Sequence, residues 1–257
     1  MRYAGIARPA ALIALAIGLI ACTPGTTRPA SSAAASSPTL RPTVTASPTP
    51  AAHEAAIERF VEQVTSGELS YRISYRGDTR ASADVLPVTG TLDVSGADFA
   101  SSITYDFSEE YQGLGSFKVQ VRGVGDKGWI KRPGKLWTAI KGYGPHHSAV
   151  PFKDVEDVRD VTYLGPDTVD GQAVHRISVP GAVLIHPNTI PFDIVKEKVD
   201  STTLEVTIDD EGLPHTGTWS LRGQARIGSG VGQLQRVIYD LDLVFSKVGD
   251  EITIKRP

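Results

Sequence analysis

Two hydrophobic periods divide the chain. Between His53 and Gly67 the apolar residues Ile57, Phe60, Val61 and Val64 recur at helical spacing, separated by Glu54, Glu58, Arg59, Glu62 and Gln63. That i, i+3, i+4, i+7 stripe predicts an amphipathic helix that must bury one face. Gly67 is placed to end it, because glycine takes the left-handed conformation of a helix terminus without a Cβ penalty. From Tyr71 onward the period is two. Tyr71-Ile73-Tyr75, Leu204-Val206-Ile208 and Val237-Tyr239-Leu241-Leu243-Phe245 alternate with mostly polar neighbours, and Ile252-Ile254 closes the chain the same way. Further strands are expected over Leu86–Ser95, Phe99–Phe107, Ser116–Arg122, Lys127–Lys131, Val158–Leu164, Val174–Val179 and Thr218–Ile227. Pro133-Gly134, Asp170-Gly171, Glu211-Gly212 and the glycines at 228, 230 and 232 separate them as turns. A second, weaker helix is expected over Asp193–Val199, with Phe152–Val158 as its alternative. The spacing of the hairpins predicts one antiparallel sheet with a few helices on one face, an α+β design of roughly ten strands.

The N-terminal fifth follows neither period. Arg2 and Arg8 precede twelve residues, Ala10–Ala21, drawn only from Ala, Leu, Ile and Gly. As a helix these rise about 18 Å, short of a hydrocarbon core of about 30 Å, and so read as a secretory signal peptide. The segment ends Leu19-Ile20-Ala21-Cys22, which resembles the bacterial lipobox. That resemblance implies cleavage after Ala21 and acylation of Cys22, whose thiol is the nucleophile for lipid transfer. Of the 30 residues from 23 to 52, 25 are Thr, Ala, Pro or Ser, and none is acidic or aromatic. Such a stretch cannot bury enough apolar surface to offset its ordering entropy, so residues 22–52 are expected to be an anchored tether. Residues 53–257 are expected to form a single domain.

Composition changes the picture where it is divided by position. The whole chain has 26 Lys+Arg against 29 Asp+Glu, but residues 53–257 hold 22 against the same 29, so the domain is acidic. That balance predicts no nucleic-acid partner. One cysteine in 257 residues excludes an internal disulfide and any cysteine-based metal cluster.

Three local segments carry a family resemblance. They are Gly128-Trp129-Ile130-Lys131-Arg132-Pro133-Gly134-Lys135-Leu136-Trp137, then Tyr163-Leu164-Gly165 followed by Val169-Asp170-Gly171-Gln172-Ala173-Val174-His175-Arg176-Ile177, and Ile208-Asp209-Asp210-Glu211-Gly212-Leu213-Pro214. With the lipobox, tether, helix and strands, they resemble the LolA-like fold, specifically the LppX/LprG type of tethered bacterial lipoprotein. The resemblance implies a strongly curved half-barrel whose concave face, lined by helices, encloses acyl chains, and an activity of carrying lipids at the cell envelope.

Reactive groups are sparse. Leu213-Pro214-His215-Thr216-Gly217 matches a sortase signal, but about forty residues and a strand follow it, so it reads as a turn. His146-His147, with His175, His186 and His215 elsewhere, lack metal-ligand spacing and read as surface loop residues. Ser229 in Gly228-Ser229-Gly230 lacks the nucleophile-elbow spacing, and Asp209-Asp210-Glu211 reads as a turn. No catalytic residue, metal or cofactor is therefore expected. Phe117, Trp129, Trp137, Trp219, Tyr239 and Phe245 are the candidates to line an apolar cavity, while core packing is the other account of each. The expected protein is a lipid-anchored, monomeric, extracytoplasmic carrier of a lipid or lipidated ligand, held to the membrane through Cys22, with an envelope transporter as candidate partner. The alternative is a non-enzymatic interaction or sensor module with a filled core.

Overall fold

The structure is a computed structural model that describes residues 50–81, 84–107, 115–143, 150–179, 193–227 and 233–257. The chain divides into two units, Met1–Thr43 and Val44–Pro257, and every described residue belongs to the second. Cys22, His146-His147, His186 and Ser229 lie outside the described residues.

Helix α1 spans Pro50–Ser66, starting inside the stretch read as tether. Proline suits a first helical turn, where its missing N–H would have no partner. Gly67 follows at φ +70°, as the sequence predicts for a helix stop. Eleven strands follow: β1 Ser70–Ala81, β2 Asp84–Ser95, β3 Asp98–Phe107, β4 Gly115–Val124, β5 Lys127–Lys131, β6 Thr138–Ala139, β7 Thr162–Val169, β8 Gln172–Val179, β9 Asp193–Ile208, β10 Pro214–Ile227 and β11 Gln233–Ser246. They form one antiparallel sheet in the order β6-β5-β4-β3-β2-β1-β11-β10-β9-β8-β7. Two hairpin runs thus meet where the last strand pairs with the first: Ile73 lies opposite Phe245 and Tyr75 opposite Leu243. The sheet is open, with β6 and β7 at its edges.

Register and side-chain alternation divide the sheet into two faces. Tyr71, Ile73 and Tyr75 of β1 align with Leu92 and Val94 of β2 and with Leu243 and Phe245 of β11. All are buried, and this is called the inner face. Intervening residues form the outer face, where the Arg72 guanidinium meets both carboxylate oxygens of Asp93 at 2.6 and 2.9 Å. Tyr75 fits because Gly90 lies opposite it: a Cβ at Gly90 would come within 2.3 Å of the Tyr75 ring.

Helix α1 crosses the lower ends of the strands, where the β2–β3, β4–β5, β7–β8 and β9–β10 turns lie. At its N-terminal end His53 stacks on Tyr163 of β7, ring centroids 3.9 Å apart and 5° from parallel. Further along, the Arg59 guanidinium donates to the Asp210 carbonyl and Gln63 Nε2 donates to the Glu211 carbonyl at 2.9 Å, both in the β9–β10 turn. Phe60, fully buried, meets Phe152 edge-on at 5.1 Å, and Phe152 in turn contacts Tyr71 and Phe245. A Phe60→Ala variant is expected to lose about 3–5 kcal/mol, read as a lower urea midpoint at unchanged m-value.

Three expected elements take other forms. Asp193–Val199 is not a helix but the first half of β9. There the register slips, with Gly223 opposite Val199 and Ala225 opposite Ile194, so a bulge breaks the alternation that would reveal a strand. Val158–Asp160 is a turn of 3-10 helix, capped reciprocally by Asp157 and Asp160, and β7 starts only at Thr162. Ile252-Ile254 is not a strand. The tail instead crosses toward β4, where Arg122 donates to the Lys255 carbonyl at 3.0 Å. Where a few helices were expected, the described residues contain one α-helix.

Candidate functional site

The inner face above helix α1 is the candidate site. Strand phase decides which of the six aromatic candidates reach it. Phe117 lies opposite Tyr105, in phase with Val119 and Val121, and is partly buried against the core. Trp219 and Tyr239 are buried neighbours with ring centroids 6.0 Å apart. Phe245 belongs to the lower cluster, 5.8 Å from Tyr71 and 6.0 Å from Phe152. Trp129 lies opposite Arg122, out of phase with buried Ile130, and so stands on the outer face. Trp137 goes with it, its ring 4.8 Å beneath the Arg122 guanidinium. The sheet thus brings four of the six onto one face and places the two tryptophans of the β5–β6 hairpin on the other side.

The strands also bring together polar groups that the sequence analysis did not single out. Thr79, Tyr105 and Tyr239 have no exposed surface, and their hydroxyls cluster with no hydrogen-bond partner outside the group. Thr79 lies opposite Tyr239 on the neighbouring strand, and Tyr105 lies opposite Val88 on the same face. Burial pushes the Tyr239 phenol up to about 12, partly offset by the nearby Tyr105 and Thr79 hydroxyls. It also pushes Tyr105 well above the ordinary value, with Tyr239 and Tyr75 adding to the effect. Tyr71 and Tyr75 are driven the same way, chiefly by burial. Buried hydroxyls that can meet only one another leave part of their hydrogen-bonding capacity unused, which costs free energy, so such a cluster calls for an account. Strand phase in the sequence places each hydroxyl inward. Only the pairing of first strand with last puts Thr79 beside Tyr239.

His175 and His215 depart from the surface-loop expectation. His175 is 1% exposed, with Nε2 2.8 Å from the Asp210 carboxylate. His215 Nε2 lies 3.0 Å from the Asp209 carboxylate, which also accepts from the Glu211 and Leu213 amides and so shapes the β9–β10 turn. Both histidines brace the lower end of the sheet. Their acidic partners lie in a turn whose local sequence gives no sign of the distant β8 residue. Among the described residues no three His, Cys, Asp or Glu side chains gather as metal ligands, and no helix is long and apolar enough to cross a membrane.

Three cavities bordered by described residues are lined by side chains other than the six aromatic candidates. One of about 200 Å³ is lined by Asp167, Arg176, Glu205 and Thr207 on the β7–β10 side. One of about 40 Å³ lies under the end of helix α1 beside Val64, Tyr71 and Phe152. A groove of about 390 Å³ runs along the β5–β6 hairpin.

The molecule is defined as an open, antiparallel α+β sheet whose inner face is apolar and whose lower end is crossed by a helix. Comparison with solved structures finds similarity to the lipoprotein LppX of Mycobacterium tuberculosis, at 16% identity over 79% of this chain and 98% of that one, TM-score 0.38. LprF from Mycobacterium bovis is similar at 13% identity over 82% and 99%, TM-score 0.33, and a LolA-superfamily protein from Nitrosomonas europaea at 10% over 76% and 91%, TM-score 0.27. No family model matches the chain, and no curated protein matches it.

Proposed function

We propose that this protein is a lipid-anchored carrier that receives the acyl chains of a lipid or lipidated molecule on the inner face of its sheet, at the outer side of a bacterial cytoplasmic membrane. The observation that carries the reading is that inner face. Val119 and Val121 of β4, Ile103, Leu92, Ile73, Leu241, Trp219 and Leu204, and Ile177 of β8 make a continuous run of buried apolar side chains across it, in a sheet that does not close. Transfer is passive: each methylene that leaves the bilayer for such a surface keeps about 0.8 kcal/mol of stabilisation, so the chain moves between two apolar phases at little net cost. Phe117, Trp219, Tyr239 and Phe245 are its aromatic lining. The Thr79, Tyr105 and Tyr239 hydroxyls offer donors to the ester carbonyls at the head of the chains. Cys22, acylated, holds the carrier near its source.

Native mass spectrometry of the acylated protein from its own host membranes tests this reading. The expected spectrum shows a bound species of lipid mass that organic extraction removes, and less of it in a Tyr105→Phe/Tyr239→Phe variant. Protein that carries no ligand and cannot be loaded from vesicles would overturn it. Cys22→Ser is expected to move the protein from the membrane to the soluble fraction, read by fractionation.

A second reading is favoured by a separate observation. Trp219, Tyr239 and Phe245 are already packed against protein side chains. A sheet filled in this way suits an interaction or sensor module, which would show the ligand-free spectrum.

A further inference from the structure

The seven basic residues at one edge of the sheet stand apart from the acidic remainder. Residues 53–257 hold 22 Lys+Arg and 29 Asp+Glu, and seven of those cations but only one of those acids, Asp126, fall between Gly115 and Tyr143. The cations are Lys118, Arg122, Lys127, Lys131, Arg132, Lys135 and Lys141. Among the described residues none of them pairs with a carboxylate, although ion pairs form elsewhere, as at Arg72–Asp93 and Arg222–Asp240. At the tip of the β5–β6 hairpin, between Arg132 and Thr138, Leu136 is 87% exposed. It borders the 390 Å³ groove with Ile130, Arg132, Gly134 and Lys135.

The hairpin presents this tip in a defined shape. The Lys135 amide donates to the Arg132 carbonyl at 3.0 Å across Pro133-Gly134, where Gly134 has φ +65°. The Ile140 amide donates to the Gly128 carbonyl at 2.8 Å, and Arg122 lies over Trp137. A fixed turn offering one exposed aliphatic side chain, a tryptophan beside it and several cations that meet no carboxylate has the composition of an interfacial membrane contact. β5 pairs with the lower half of β4, Lys131 lying opposite Gln120, so the hairpin occupies the β6 side edge of the sheet and its connection starts about level with the middle of β4.

We propose that the β5–β6 hairpin is a docking surface for an anionic bilayer, with Leu136 entering the headgroup region and Lys131, Arg132 and Lys135 meeting lipid phosphates. Docking sets the β6 edge of the sheet against the membrane. The 27 residues between Cys22 and Pro50 can reach about 80 Å when extended, and β1 is only about 40 Å long, so the anchor permits this orientation. The proposal does not depend on lipid uptake, because the same surface would orient an interaction module.

The test uses the full chain with Cys22→Ser, which removes the only native thiol, and a single new cysteine carrying an environment-sensitive fluorophore. In Leu136→Cys the label is expected to shift to the blue on vesicles of equal phosphatidylglycerol and phosphatidylcholine and not on phosphatidylcholine alone. The shift should fade at high salt, because exposed charges are screened within about a Debye length. In Val244→Cys, on the outer face of β11, the label should not shift. Adding Lys131→Gln, Arg132→Gln and Lys135→Gln to the Leu136 reporter should weaken its binding to the anionic vesicles about 100-fold, about fivefold per cation. These side chains are solvent-facing, so the circular dichroism spectrum should be unchanged. Equal shifts at positions 136 and 244, or a shift at 136 that ignores lipid charge or survives the three substitutions, would overturn the proposal.

Discussion

Replacing Gly212 with alanine is expected to cost about 3–5 kcal/mol and to loosen helix α1 from the sheet, whereas the same change at Gly171 costs about 1 kcal/mol. The two glycines share a backbone conformation, φ +80° and +83°, and each closes a tight turn at the lower edge. They differ in what a Cβ would meet. At Gly171 there is open space. At Gly212 the new atom would lie 2.6 Å from the Phe60 amide nitrogen, 2.9 Å from the Ala56 carbonyl oxygen and 3.0 Å from the Arg59 carbonyl carbon. These are backbone atoms of the helix, so no rotamer change relieves the overlap. Either the turn or the helix must move, and the Arg59 and Gln63 bonds to the Asp210 and Glu211 carbonyls break with it. Urea denaturation compares the two variants. Hydrogen exchange should show faster opening of residues 56–64 in Gly212→Ala alone. Equal losses at both sites would mean that the helix is not seated on the turn.

The second large effect is an alkaline collapse driven by the inner-face tyrosines. Tyr71, Tyr75, Tyr105 and Tyr239 are buried, and burial raises all four phenols above the ordinary value of about 10, Tyr239 to about 12. A raised folded-state value means that the folded protein holds protons that the unfolded chain has released. Stability from these groups is therefore complete below pH about 10 and falls as the pH climbs from there through the folded-state values. Each such tyrosine contributes about 1.4 kcal/mol per pH unit over that range, so four together remove about 5 kcal/mol per unit. A domain with ordinary stability of 5–15 kcal/mol would unfold within roughly one to three units. Tyrosinate absorbance and circular dichroism, followed together, should change in one steep transition. The Tyr105→Phe/Tyr239→Phe variant should show about half the pH slope. A gradual titration centred near the ordinary tyrosine value, with the sheet intact, would contradict the burial of these rings.

How legible each feature was depends on whether its cause is local. Helix α1 was readable because its period and its terminal glycine lie within one short stretch. Lys127–Lys131 was readable to the residue, and Asp170-Gly171 as a hairpin turn, because turn conformation depends on the residues in the turn. Asp193–Val199 was misread because the bulge opposite Gly223–Ala225 removes the two-residue period, and only the partner strand reveals it. The site was half legible. Alternation places Tyr239 and Phe245 on one face, but Trp129 and Trp137 carry no local mark of which face they join.

The sequence by itself determined the α+β class, the positions of most strands and turns, the inward phase of Tyr239 and Phe245, and the concentration of positive charge between Lys118 and Lys141. Each of these is a property of neighbours along the chain. The tertiary structure alone decided that β1 pairs with β11 and that Thr79 stands beside Tyr239. It also decided that His175 is buried against Asp210 and that the basic hairpin forms one side edge of the sheet. Those outcomes join residues separated by many tens of positions. Sheet pairing selects them by burying the whole inner face at once, and no short window of the sequence contains that requirement.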